Sequence, residues 1–288
     1  MAVGRGQRTR AEVTSELQRE RLAYKRSRSR RSTLVALLST AVFAAAVGVT
    51  VARAPGWPRV RQSFFDVEIA WRSLPAVLEG LWLNLRVLAV CGALILVSAL
   101  VVATLRTLRG PVWFPLRVVA TAYVDLFRGL PLIILLYLVG FGLPALRLTG
   151  VPNDFVVLGG VALVLAYTAY VAEVFRAGIE SVHPSQVAAA RGLGLAPRPA
   201  LRLVVLPQAV RRVMPALLND FVALQKDCGL ISVLGAVDAV RAAQIEQARS
   251  FNFTPYVVAG LLFVLLAVPT ARFADALGRR LERRQGGR

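Results

Sequence analysis

Charge is laid out along this chain in blocks, and that arrangement limits what it can fold into more than any other feature. Five stretches, residues 32–52, 87–105, 129–146, 155–172 and 250–271, contain no Asp, Glu, Lys or Arg. A helix rises about 1.5 Å per residue, so each reaches most or all of the way across about 30 Å of hydrocarbon. The second run is entered from about Pro75, the third starts its helix near Val118, and the fourth continues through Glu173. A sixth apolar segment, 213–237, is broken by Asn219, Asp220, Gln225, Lys226 and Asp227. Facing lipid it would be costly, so it is expected to face protein or a wet cavity. Backbone polar groups in lipid must be satisfied within the span. The expected fold is therefore an all-α, polytopic membrane protein of about six helices.

The basic residues orient these spans. Of 35 Lys and Arg, 25 fall in 1–31, 106–117, 176–212 and 272–288, and 7 fall in 53–73, 147–154 and 238–249. The acids divide almost evenly, 6 against 5. Sorting of basic residues alone is the signature of the positive-inside rule, so both termini and 176–212 are expected in the cytoplasm. The formal charge of +19 does not read as nucleic-acid binding, because the basic residues flank apolar runs instead of lining one soluble face. Residues 1–31, ending in the arginine-rich "SRSRR", read as a solvated cytoplasmic tail that sets topology and meets anionic lipid. Residues 32–53 form an extra N-terminal span, and 54–74 an external linker. "VARAP" at 51–55 resembles a processing site, but Pro55 and the long basic lead-in favour a retained anchor. Cys91, Cys228 and His183 lie apart at no ligand spacing, so no metal site and no catalytic residue is expected.

One cytoplasmic stretch stands out: 176–207, "RAGIESVHPSQVAAARGLGLAPRPALRLVVLP". Pro184 suits the first turn of a helix that runs through Ala188, Ala189 and Ala190, with Gly192 and Gly194 as stop signals. Pro197 and Pro199 open a second short helix and Pro207 interrupts again. Two short helices at an angle result. Small residues on the first permit close approach, and Arg191, Arg198 and Arg202 surround them. A dock for a soluble partner and an ordinary interfacial loop both fit.

The stretch resembles the cytoplasmic "EAA" loop of the integral-membrane permease subunits of ATP-binding-cassette (ABC) importers: Ala188-Ala189-Ala190, then Gly194, then Val204-Val205-Leu206-Pro207. "YVDLFRGLPLIILLYLVGFGLP" (123–144), "AYVAEVFRAGIESV" (169–182), "LPQAVRRVMPALLNDFVALQKDCGL" (206–230) and "RAAQ" (241–244) resemble further segments of the polar amino-acid permease branch, histidine, glutamine, glutamate and arginine carriers among them. The resemblance covers roughly 80–284. It implies a five-helix permease core over 75–284, preceded by the extra span. There are departures: the loop's usual Glu is Ala188, leaving Gln186 as the nearest polar replacement. The usual Thr after Arg-Gly is Leu130, a common Gln nearby is Leu135, and Lys-Asp-Thr-Ser-Leu is Lys226-Asp227-Cys228-Gly229-Leu230. These substitutions bear on the substrate more than on the class.

The implied machine sits in a bacterial plasma membrane. It pairs two permease subunits, identical or related, with two cytoplasmic ATPases, and an external solute-binding protein delivers an amino acid. ATP and Mg belong to the ATPase. This chain carries no Gly-x-x-x-x-Gly-Lys-Ser/Thr loop and is expected to have no cofactor. Gln186, Ala188, Ala189, Ala190, Arg191, Gly194, Leu195 and Pro207 would form the coupling element within 176–212, with Ala189, Ala190, Gly194 and Leu195 at its buried centre. For the translocation path, Asp125 and Arg128 are placed three apart on one helix face as a local pair, and Lys226 and Asp227 in the broken segment. Glu173, Asn219, Gln225 and Tyr167 follow. For each, helix-packing pairs are the competing role. Asn84 and Arg86 read as interfacial anchors. A permease for another small polar solute remains open. An ion-driven carrier would need a repeated pair of broken helices, and only one interrupted segment is present.

Overall fold

The computed structural model describes residues 32–286 except 109 and 151; the side chains of 197, 198 and 281–286 also lie outside the described residues. The basic tail 1–31 falls outside them, as does the Arg198 side chain. All regular structure among the described residues is helical. The chain divides into two units, Met1–Gln62 and Ser63–Arg288. The first contains α1, Ser32–Ala52, 21 residues long and apolar enough to span a membrane. It also contains most of α2, Trp57–Phe64.

The second unit is organised around α3, Val67–Thr107, a single helix of 41 residues. It starts where the side chain of Asp66 accepts the amides of Glu68 and Ile69, satisfying donors that a helix start leaves open. Pro75 lies inside it and does not end it. The expected linker 54–74 is therefore largely helical, because Asp66 supplies a start signal ahead of Pro75.

The third expected span is two pieces. Helix α4, Phe114–Gly129, stops at Gly129, and α5, Leu132–Tyr137, continues through a π turn at Leu138–Gly142 into α6, Leu143–Ala145. The two pieces bend by 108°. Pro131 explains the break, since it lacks an amide and holds Leu130 extended at ψ 130°. Helix α7, Phe155–Glu180, is capped by Asp154, which accepts from Val156 and Val157.

A short elbow follows: α8, Pro184–Gly192, then α9, Pro197–Ala200. A π turn, Leu201–Val205, leads into α10, Leu206–Asp227. Pro207 does not interrupt the chain as expected. It occupies the first turn of α10, where its missing amide costs nothing. Helix α10 also passes Asn219 and Asp220 unbroken, and the irregular part comes later, as a 3₁₀ segment at Cys228–Leu234. Helix α11, Ala239–Ser250, and α12, Thr254–Gly286, complete the unit. Among the described residues four helices are long and apolar enough to cross a membrane, or up to six when each bent pair counts as one span. That agrees with the six expected.

The core lies where α3, α7, α10 and the 3₁₀ segment meet. Leu88, Cys91, Ile95 and Ala99 pack with Ala162, Leu163, Ala166, Leu224 and Ile231. Small residues let the backbones approach, and van der Waals contact then substitutes for the hydrophobic drive that lipid does not supply. A Cβ at Gly159 would lie 2.8 Å from the Ile231 side chain. Both thiols are free and buried.

Candidate functional site

The elbow forms from local signals. His183 caps α8 by accepting the Ser185 amide at 3.2 Å, and Pro184 fills the first turn. Helix α8 ends at Gly192, and Gly194 follows with φ +80°, a conformation that costs an L side chain roughly 1–2 kcal/mol and glycine almost nothing. Below the elbow Val182, Val205 and Ala209 pack with Ile179 and Val187. Arg212 donates to the Ser181 carbonyl, bracing the start of the elbow against α10.

What the elbow shows outward differs in part from expectation. Ala188, Ala189, Arg191 and Gly194 are exposed, and Leu193 is 85 % exposed. Ala190 is buried within this chain, so its methyl is not part of the outward face. One turn of α8 points Ala190 inward while Ala188 and Ala189 point out. Leu195 is half-buried and Pro207 lies at the start of α10. Gln186 is exposed. Leu193 escaped sequence reasoning. An apolar residue between two glycines at a helix end was the available signal.

At the start of the elbow lies a cluster of charge. Arg106, in the last turn of α3, donates to Glu173 Oε2 at 2.6 Å. Arg128, at the end of α4, stands 4.0 Å from the same oxygen. Arg176 pairs with both Glu173 and Glu180. One carboxylate on α7 thus meets α3 and α4, two turns before α7 ends. The expected local pair of Asp125 and Arg128 does not form. Asp125 is exposed without an ion partner among the described residues, because Arg128 reaches across to α7.

Nearer the middle of α7, Tyr167 donates to Asp227 at 2.7 Å, tying α7 to the end of α10. Lys226 is exposed and has no ion partner among the described residues, so it forms no salt bridge with Asp227. Gln225 is buried and Asn219 exposed. Asn84, expected as an anchor, is 3 % exposed. Its amide donates to the Cys228 carbonyl and to Asp238 Oδ2, and its oxygen accepts the Ala239 amide. It is a clamp that holds the 3₁₀ segment and α11 on α3. Among the described residues no three His, Cys, Asp or Glu side chains gather as a metal site.

Broken spans, polar groups turned inward from α7 and α10, and an exposed small-residue elbow between those helices define a multi-pass transport protein. The chain belongs to a known family: residues 112–283 match the binding-protein-dependent transport system inner membrane component. It is the transmembrane permease subunit of an ABC importer, energised by ATP hydrolysis in a separate subunit. The arginine transport system permease protein ArtQ of Bacillus subtilis is 32 % identical over 212 residues, covering 73 % of this chain and 94 % of ArtQ. The probable glutamine ABC transporter permease protein GlnM of the same organism is 32 % identical over 223 residues, covering 76 % and 99 %. The solved amino acid ABC transporter crystallised with histidines superposes at TM-score 0.69 with 30 % identity, over 75 % of this chain and 98 % of that one. The inward-facing MetNI methionine transporter shares the fold at TM-score 0.59 and 22 % identity, over 75 % and 99 %.

Proposed function

We propose that this permease imports an amino acid across a bacterial plasma membrane, with both termini cytoplasmic. An extracytoplasmic solute-binding protein delivers the substrate, and a second permease, identical or related, completes the path. The α8–α9 elbow docks on a cytoplasmic ATPase, which uses ATP and Mg. The observation that carries this reading is the elbow's outward face of Ala188, Ala189, Leu193 and Gly194. It is braced to α7 and α10 by the Arg212–Ser181 contact and by the packing of Val182 and Val187 with Ile179, Val205 and Ala209. Small and apolar groups admit a close partner, and the braces transmit its displacement to two core helices as a rigid-body movement. Gln186 and Arg191 border the dock. The named relatives' cargo, arginine and glutamine, supports amino acids as the solute class.

The exposed polar side of α10, with Asn219 and Lys226 two turns apart, is the side on which the solute passes. Gln225, Asp227, Tyr167 and the Arg128–Glu173 contact hold the wall of that path in shape. The test has two halves. The full chain, purified gently from its native membrane, should bring an ABC ATPase with it. Deleting it should abolish ATP-dependent uptake of at least one labelled amino acid. Unaltered uptake of the whole amino-acid panel in the deletion strain would refute the reading.

A further inference from the structure

Residues of α3 and α7 alone line a groove of about 420 Å³, so it lies apart from the path along α10. Leu83, Val87, Val90 and Leu94 form one wall, and Val157 and Val161 belong to the other. Val90, Leu94, Val157 and Val161 are exposed, so the groove opens along its length. Arg86 is the one charged side chain in its lining among the described residues. At Leu83 and Arg86 the groove meets a second pocket, of about 390 Å³, which both residues also line. That pocket is polar, with Glu79 of α3 and Glu246 and Arg249 of α11 around it. The helix rise gives the depth. Arg86 precedes Arg106 on α3 by 20 residues, about 30 Å, which is the thickness of the hydrocarbon. Arg106 lies at the elbow's end of α3, so Arg86 lies at the opposite membrane surface. From Leu83 to Leu94 the groove follows α3 for about 16 Å, close to one leaflet.

Charge narrows the occupant. Glu246 and Arg249 pair at 2.7 Å and neutralise each other. Glu79 and Arg86 are exposed, and neither has an ion partner among the described residues. Seven positions separate them, which puts both on nearly the same face of α3, about 10 Å apart along its axis. One free anion and one free cation therefore border a polar pocket at the membrane surface, and an apolar groove one leaflet deep leads away from the cation. A membrane phospholipid has all three complements. Its acyl chain lies along the groove, and its phosphate meets the Arg86 guanidinium, whose fork suits phosphate oxygens. Glu79 then selects the headgroup. Phosphatidylglycerol brings it no positive charge, and phosphatidylcholine brings a cation without an N–H to donate. Phosphatidylethanolamine brings a primary ammonium two carbons from its phosphate, which donates to Glu79 while Arg86 holds the phosphate. We infer that the Glu79–Arg86 face of α3, with the groove toward α7, is a binding site for a phospholipid with an ethanolamine headgroup. The site stands whatever solute the permease carries.

Headgroups with identical acyl chains separate the contributions. The full transporter complex, delipidated in detergent, is titrated with phosphatidylethanolamine, phosphatidylglycerol or phosphatidylcholine, and the first lipid bound is followed by native mass spectrometry. Phosphatidylethanolamine should bind at least about tenfold more tightly than either of the others, the gain typical of one charged hydrogen bond. Arg86→Gln should weaken all three, since each offers a phosphate. Glu79→Gln should bring phosphatidylethanolamine to the phosphatidylcholine level and leave phosphatidylglycerol no weaker. Val161→Trp should fill the groove and weaken all three. Glu79, Arg86 and Val161 are exposed, so each variant should unfold within a few degrees of wild type. Phosphatidylglycerol binding as tightly as phosphatidylethanolamine in the wild type overturns the site. So does a preference that survives in Glu79→Gln, or phosphatidylethanolamine binding unchanged in Arg86→Gln. A thiol cross-link from Val161→Cys to another subunit of the complex would put protein in the groove and overturn it as well. If a variant does not assemble, the wild-type order of the three lipids still decides.

Discussion

Glu173 and Arg106 meet at 2.6 Å although 67 positions separate them, and their contact joins the end of α3 to α7 just before the elbow. Arg128 and Arg176 also face Glu173. Removing the one acid leaves Arg106 and Arg128 without an ion partner among the described residues while Arg176 keeps Glu180, whereas removing Arg106 leaves Glu173 with Arg176. Glu173→Gln should therefore destabilise the chain by about 3 kcal/mol, near the low end for a broken buried pair because the group is partly exposed. Arg106→Gln should cost about half as much. Thermal unfolding in detergent reads both. Equal costs would mean that the cluster is not centred on Glu173.

Gly80 is where α3 lies directly against the backbone at the start of α11. A Cβ there would lie 2.4 Å from the carbonyl carbon of Asp238 and 2.5 Å from the Ala239 nitrogen. Backbone cannot move aside as a flexible side chain can, so Gly80→Ala must push α11 off α3 and should cost at least about 3 kcal/mol. On α12, nothing lies within 4 Å of a Cβ at Gly260. Gly260→Ala should instead stabilise by about 0.5–1 kcal/mol through the reduced entropy of the unfolded chain. The pair of melting temperatures, displaced in opposite senses, is the check.

The contrast between these glycines shows what a sequence discloses. The apolar runs of α1, α3, α7 and α12 were visible because a span is a local property of twenty residues. The elbow was visible for the same reason: Pro184 and Gly194 act within one turn of themselves. The charge cluster was not. Only Asp125 lay within reach of Arg128 along the sequence, so a pair three apart was the natural expectation, and its actual partner is on another helix. Asn84 looked like an anchor because its partner Asp238 lies 154 positions away. Asp220 was noticed as a polar interruption, but the burial of its Oδ2 without a hydrogen-bond partner is a property of the packing.

Gly194 separates folding from coupling. Its Cβ direction is open, with nothing within 4 Å, so a bulky residue meets only the φ +80° strain of roughly 1–2 kcal/mol at an exposed loop. Gly194→Trp should therefore reach the membrane at near-normal levels and unfold within a few degrees of wild type. Its uptake should nevertheless fall at least about tenfold, because the indole occupies the space the ATPase needs. Immunoblotted membranes give the first quantity and labelled amino-acid uptake the second. Normal uptake by the Trp variant would remove Gly194 from the dock.

Asn84 and Asp238 test whether the clamp behaves as one unit. Asp238 is fully buried, with one carboxylate oxygen on Asn84 and the other accepting the Arg241 amide. Asn84→Ala removes three hydrogen bonds at once and strands the Cys228 carbonyl, the Ala239 amide and Asp238 Oδ2. Unsatisfied buried groups cost about 1–3 kcal/mol each, so the single variant should lose at least about 3 kcal/mol. Asp238→Ala should be comparably severe, since it also removes the α11 cap. After either change most of the network is already gone, so the second removes less. The double variant should fall short of the sum by about 1–2 kcal/mol, the coupling expected of residues in contact. Strict additivity in chemical unfolding would mean that each residue acts alone. The tie between α3 and the 3₁₀ segment would then have to rest on packing around Gly80 and Ile231.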